Sequence, residues 1–395
     1  MKGGRLAWAN SLRGIAAATV MVGHVMVGTI SMQRIAEASV RYPVGQQLVD
    51  DLGVERAVDW LGFDFMGAGV CLFFLLSGLV ISRSLRRYSR GGFLVGRVLR
   101  LLPTFAAGYA VILVAVAALA LATQRPVPVG PGEALGVIPG LPQLVGVDVI
   151  PNDVAWTLIV EMVFYVVCVV LHRTLLDRAW VLLAVAAGCV AVQQAFLQVT
   201  PQSYPLAGIR DLVLVAVPFI PILLMGVRLD SLDPRQGIPP RDWAVLGLLV
   251  AAFWWMTGFR VWWPFSPLGT QGAGMSYQIT FVLTIVAFIA VWRWADPRFD
   301  GPVLRWLADI SYPLYVVHLM IGWVLILGLA GAGVPVPLAQ ASAIVAALGL
   351  AWILHVLVEQ PSHRIGRQWA RQLSPESSLD PTDHQASATV NGRER

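Results

Sequence analysis

Three features of the sequence predict an all-α integral membrane protein with about ten transmembrane helices. Hydrophobic residues fill 57% of the 395 positions and charged residues only 13%, where soluble chains carry about 25% charge. Apolar stretches of roughly 17–25 residues, the length that crosses a bilayer, follow one another along nearly the whole chain. Arginine is distributed unevenly between alternate connecting segments, as the positive-inside rule requires.

The stretches fall at about 8–30, 66–82, 104–122, 153–171, 179–198, 211–227, 243–259, 275–292, 307–329 and 338–357. The first contains Arg13 and His24, but no small-residue cleavage site follows it. It reads as a retained helix and not as a signal peptide. The sixth carries Pro218 and Pro221, which a span tolerates where neighbouring helices satisfy the freed carbonyls. With the N-terminus inside, 21 of the 28 basic residues lie in inner segments and 6 in outer ones, with Arg13 inside a span. Both termini are therefore expected in the cytoplasm.

Two outer loops are long, at about 31–65 and 123–152. The second holds Pro126, Pro128, Pro131, Pro139, Pro142 and Pro151, so regular helix is not expected there. Long ordered loops often serve function. Trp254, Trp255, Trp262 and Trp263 crowd one outer boundary in the manner of an aromatic belt. Residues 1–373 are expected to form one transmembrane domain, and 374–395 a disordered, polar cytoplasmic tail.

Composition also narrows function. Cys71, Cys168 and Cys189 all lie in apolar runs, so neither a disulfide framework nor a metal site is expected. The net charge of +5 suits contact with an anionic membrane surface. No aromatic-interleaved basic patch points to nucleic acid.

Ionisable residues inside spans are costly and therefore informative. Arg13, His24, Glu161 and His318 stand out. At about 1.5 Å per residue, His24, Glu161 and His318 all fall between the midplane and the outer third of the membrane. His24 fits a general base, since a neutral imidazole takes a hydroxyl proton near neutral pH. A histidine hydrogen-bonded between helices accounts for it equally. Glu161 fits either an orienting group for His24, a base in its own right, or a helix-packing ion pair with Arg13. His318 fits a structural or a site role. Arg97 and Arg100, at i and i+3 on one helix face, can clamp phosphates bidentately or simply anchor the inner boundary. Ser77, before Gly78, reads chiefly as a close-packing position. Glu359-Gln360-Pro361 reads as the end of the tenth span.

In order along the chain stand Asn10-Ser11-Leu12-Arg13-Gly14 with His24, then Leu72-Phe73-Phe74-Leu75-Leu76-Ser77-Gly78. Arg97-Val98-Leu99-Arg100-Leu101-Leu102-Pro103 and Trp156-Thr157-Leu158-Ile159-Val160-Glu161 follow. Ser311-Tyr312-Pro313-Leu314-Tyr315-Val316-Val317-His318 and Glu359-Gln360-Pro361 complete the set. Together these six segments resemble the acyltransferase-3 family of bacterial membrane O-acyltransferases. Asn10 departs from the family's usual Asp, and Leu79 from its common Phe.

The resemblance implies a multi-pass protein of the bacterial inner membrane that moves an acyl group, by analogy acetyl, from cytoplasmic acyl-CoA to a hydroxyl. The acceptor is expected to be an extracytoplasmic sugar or glycan, with a secreted small molecule such as a macrolide as the alternative. It implies His24 as the catalytic histidine and Arg13 as its paired basic residue. Arg97 and Arg100 become the acyl-CoA contacts, and Glu161 and His318 further site positions. No permanently bound cofactor or metal is implied. Direct transfer and a covalent acyl-histidine both remain open. A transporter or flippase is the rival class, although the chain shows neither an inverted repeat nor paired broken helices. A non-catalytic membrane scaffold would leave His24 and Glu161 unexplained.

Overall fold

The computed structural model describes residues 7–49, 52–258, 273–294 and 301–374. All regular structure among these is helical. Ten long helices match the ten apolar stretches in order. They are α1 (Trp8–Ser31), α2 (Phe65–Arg87), α3 (Arg90–Ala122), α4 (Ala155–Leu171), α5 (Ala179–Leu197), α6 (Leu206–Asp230), α7 (Pro240–Gly258), α8 (Ala273–Trp294), α9 (Ser311–Gly331) and α10 (Val336–Gln372). Eight are long and apolar enough to cross a membrane by length and composition. The exceptions are α4, of 17 residues, and α7, whose first turn holds Arg241 and Asp242. The protein is an all-α membrane protein.

The most enclosed helices are α6 and α9, while α5 and α10 are largely exposed along their apolar lengths, as lipid-facing helices are. Close approach of α2 and α6 depends on glycine. A Cβ at Gly78 would lie 2.0 Å from the Leu223 carbonyl oxygen, and one at Gly226 would lie 2.1 Å from that of Leu75. Small residues let helix backbones meet in this way where no hydrophobic force drives them together. The packing role read for Ser77-Gly78 thus belongs to Gly78.

Three helices depart from the simple rod. A 3₁₀ turn at Val217–Phe219 breaks α6 at Pro218. A π turn at Gly23–Gly28 widens α1 around His24. A second π turn at His355–Glu359 lies within α10. Glu359-Gln360-Pro361 does not end the tenth helix as expected. Pro361 falls in the first turn of the following segment, Gln360–Gln372, where a missing N–H costs little. That segment packs along the start of α3, with Gly366 against Leu99 and Ala370 against Gly92. The same contact supports the start of α3 at Arg90, well before the expected start near 104; Pro103 lies inside the helix.

The proline-rich loop also differs from expectation. It contains a 3₁₀ segment, Pro131–Val137, and a short helix, Leu141–Val145. Buried Glu133 pins it to α3, accepting from the Tyr109 hydroxyl at 2.6 Å and from the Ile150 N–H at 3.0 Å. Trp254 and Trp255 are exposed near the end of α7, as belt residues would be; Trp262 and Trp263 lie outside the described residues. Ser374, assigned to the tail from sequence, is buried, and the Ser89 N–H donates to its hydroxyl at 2.9 Å. Residues 375–395 lie outside the described residues.

An ion pair closes the α6–α7 end. The fully buried Asp242 carboxylate accepts from Arg228 Nε at 2.9 Å. Arg228→Leu leaves the buried carboxylate only the longer pairing with exposed Arg241, at 3.6 Å, and is expected to destabilise the fold by up to about 3 kcal/mol. Thermal unfolding in detergent measures this, and an unchanged midpoint would show the pair to be dispensable.

Candidate active site

The two intramembrane histidines meet. His24 sits in the π turn of α1, and His318 stands midway along α9, 1% exposed. Their rings lie 5.1 Å apart, with His318 Nε2 3.1 Å from His24 Nδ1. The surroundings set the tautomers when both rings are neutral. His318 Nδ1 faces the carbonyl oxygens of Leu314 at 3.0 Å and Tyr315 at 2.9 Å, so this nitrogen carries the proton and donates. Its Nε2 is then a lone pair. His24 Nδ1 faces that lone pair and the Val20 carbonyl oxygen at 3.0 Å, so it too carries the proton. Nε2 of His24 is left as an unprotonated base. π turns recur at functional sites because the extra residue re-aims side chains.

His318 is thus placed to orient the His24 ring, a contact that sequence left undecided. Replacing it by alanine removes one hydrogen-bond acceptor from His24 Nδ1. The expected result is about a tenfold fall in turnover with unchanged donor KM. Partial recovery is expected in His318→Gln, whose amide oxygen accepts. Steady-state kinetics decides, and wild-type turnover in His318→Ala would remove the assignment.

The arginines gather in a separate cavity between α1, α2, α3, α4 and α9, with about 720 Å³ of unfilled space including its mouth. Arg13, Arg97, Arg100, Ser77, Glu161 and Tyr312 are among its lining residues. Arg97 is held rigidly: Nη2 donates to Ser84 Oγ at 2.6 Å, and the guanidinium lies 5.5 Å from the Phe93 ring centre and 5.7 Å from that of Tyr165. Glu161 accepts from Ser77 Oγ at 2.6 Å. Among the described residues no hydrogen bond joins Glu161 to His24, and no ion pair within 4.0 Å joins it to Arg13.

Two expected neighbours of His24 stand apart from it. Arg13 lies roughly 16 Å from His24 along α1, at about 1.5 Å per residue. It feels the charges of Arg97, Arg100, Glu161 and Glu359 and does not accompany the histidine. Glu161 likewise belongs to the arginine cavity and does not orient His24. The upper wall of that cavity is Tyr315, whose ring lies 5.4 Å from Phe73 and 5.7 Å from His318. Tyr315 is therefore the residue that joins cavity to histidine pair. Its place in the Ser311–His318 segment gave it no role of its own, because an apolar-span tyrosine carries no charge signal.

Other polar groups near the arginines were missed for similar reasons. His355 Nδ1 donates to buried Glu359 at 2.6 Å in the second π turn. His363, one turn beyond, is within electrostatic reach of Arg13, Arg97, Arg100 and Arg367. Glu359 and His363 lie past the expected end of the tenth span near 357, and His355 lies just inside it. On the other side of the bundle, Asp64 caps α2, accepting from the Gly67 N–H at 2.9 Å, and Asp153 accepts from Ser39 Oγ at 3.0 Å. Burial holds both carboxyls above the usual carboxylate range, and those hydrogen bonds only partly offset it. Among the described residues no cluster of His, Cys, Asp and Glu is arranged to hold a metal ion.

The fold and its enclosed polar groups define a polytopic membrane protein with a built histidine–arginine site. A family model described as an acyltransferase domain matches residues 6–356, and the chain belongs to the acyltransferase-3 family. It is a membrane O-acyltransferase. Neither a curated protein nor a solved structure matches it.

Proposed function

We propose that the protein transfers an acyl group, acetyl in the first instance, from cytoplasmic acyl-CoA to a hydroxyl of an extracytoplasmic sugar or glycan, across the inner membrane of a bacterium. The observation that carries this reading is the His24–His318 pair, separated by Tyr315 from a cavity that Tyr315 lines together with Arg13, Arg97 and Arg100. In this reading α1 to α10 all cross the bilayer and both termini are cytoplasmic. The CoA phosphates dock at Arg97 and Arg100, with Arg13 adding charge deeper in the same cavity. The pantetheine arm runs along Phe73, Tyr312 and Tyr315 and brings the thioester to the histidine pair.

The chemistry then follows from the tautomers. Nε2 of His24 takes the acceptor's hydroxyl proton as its oxygen attacks the thioester carbonyl. The imidazolium is stabilised because both Nδ1 protons already have acceptors. Collapse of the tetrahedral intermediate breaks the C–S bond, and Nε2 returns the proton to the CoA sulfur. Attack by Nε2 itself would give an acyl-histidine and ping-pong kinetics. A strict requirement for both substrates at once selects the direct route.

The test is transfer of label from radiolabelled acetyl-CoA by the purified protein in lipid, offered cell-surface glycans and secreted metabolites. Label in an acceptor only with the unaltered protein, and not with His24→Ala, is the expected result. Retention of CoA without label in any acceptor points to another acyl group or acceptor. Failure to bind CoA overturns the donor assignment.

A further inference from the structure

A second cavity, with about 920 Å³ of empty space including its opening, lies between the 136–153 segment and helices α3, α4 and α6. Its polar lining is one-sided. Asn152, Asp153, Asp211 and Gln143 face it, and no lysine, arginine or histidine is among its lining residues. Asn152 is decisive. It is 9% exposed, and its Nδ2 donates to the Val316 carbonyl oxygen at 3.2 Å, which fixes the orientation of the amide. Its Oδ1 is buried and has no partner. An unsatisfied buried acceptor costs stability on the order of 1–3 kcal/mol and calls for an occupant that donates.

The cavity also abuts the site already described. Trp156 lines it, and the same ring packs 6.1 Å from Phe74, which lines the arginine cavity. The next residue, Thr157, faces the arginine cavity and donates to the Tyr315 hydroxyl at 3.0 Å. The first turn of α4 is thus a shared wall. Val316, which holds Asn152, is two residues from His318.

We propose that this cavity is the recognition site for the acceptor, and that it takes a neutral sugar ring. The inference rests on the extracytoplasmic reading of the 123–152 loop given above. Hydroxyls of the ring donate to Asn152 Oδ1 and to the Asp153 and Asp211 carboxylates, and the apolar ring face lies against Trp156 and the proline-lined wall. Arg210 pairs with Asp211 at 3.3 Å but is not itself among the lining residues, so a uronate or a phosphorylated sugar would face the Asp153 carboxyl with no lining cation to pair with, which disfavours it.

The experiment is saturation-transfer NMR on the full-length protein in lipid nanodiscs. The probes are the methyl glycosides of glucose, galactose and mannose, with methyl glucuronide as the anionic counterpart. At least one neutral glycoside is expected to bind, and the glucuronide about tenfold more weakly or worse. Asn152→Leu and Val215→Phe, the second filling the cavity without touching a polar group, are each expected to weaken binding by about tenfold. Retained CoA binding in these variants shows that they are folded. His24→Ala is expected to abolish transfer and keep glycoside binding, which separates this inference from the catalytic one. No neutral glycoside bound by the unaltered protein, tighter binding of the glucuronide, or full binding in both cavity variants overturns it.

Discussion

His24→Ala is expected to lower acyl transfer about a thousandfold, the scale of a lost general base, while the protein still inserts and binds CoA. An alcohol is a poor nucleophile until its proton is removed in the transition state, and Nε2 of His24 is the proton acceptor that the tautomer arrangement leaves open. His318 is a poor substitute, because its Nδ1 is committed to two helix carbonyls and its Nε2 lone pair lies behind the vacated ring, next to the former Nδ1 and not where His24 Nε2 stood. The helix itself should survive, since the ring makes no backbone bond beyond one to Val20. Single-turnover measurement with bound acetyl-CoA isolates the chemical step. Turnover near that of the unaltered protein would remove His24 from the mechanism.

The second large effect is expected on the donor. Replacing both Arg97 and Arg100 by alanine should raise the acyl-CoA KM about a hundredfold or more, since each charge-assisted hydrogen bond contributes about 1.5–3 kcal/mol. The rate at saturation should change little, because these groups lie away from the histidine pair. Arg97→Lys is expected to recover little. Ser84, Phe93 and Tyr165 hold a planar guanidinium in place, and a flexible ammonium reproduces neither the stacking nor the two-pronged contact. Saturation curves with acetyl-CoA measure the effect. Unchanged curves would reduce both arginines to membrane anchors.

Much of the fold was legible because the bilayer imposes a length and an apolar composition on any helix that crosses it. The ten stretches all became helices, and His24, His318, Arg97 and Arg100 stood out as polar groups in apolar surroundings. What could not be read was partnership. His24 and His318 are 294 positions apart, and no local pattern shows that they touch. Glu161 looked suited to the histidine by depth alone, but rotation about the helix axis turns it to Ser77. Arg13 shares a helix with His24 but lies roughly 16 Å along its axis, among the other arginines. The extension of α10 past Pro361 was hidden because the segment is polar on one face, and hydropathy cannot show that its small residues fit against α3.

The π turn in α1 has a consequence for how the chain tolerates change. One additional residue is accommodated between Gly23 and Gly28, so the helix beyond it is out of phase with the helix before it by about 100°. Deleting a single residue there would restore an ordinary helix and swing the downstream face by that angle. Thr29, whose hydroxyl now donates to the His24 carbonyl at 3.1 Å, and the segment leading to Ser39 and Asp153 would then face elsewhere. Substitutions around His24 and changes of length there are thus different kinds of perturbation. A changed side chain alters one position, whereas a lost residue turns the half of α1 beyond His24 away from the half that carries Arg13.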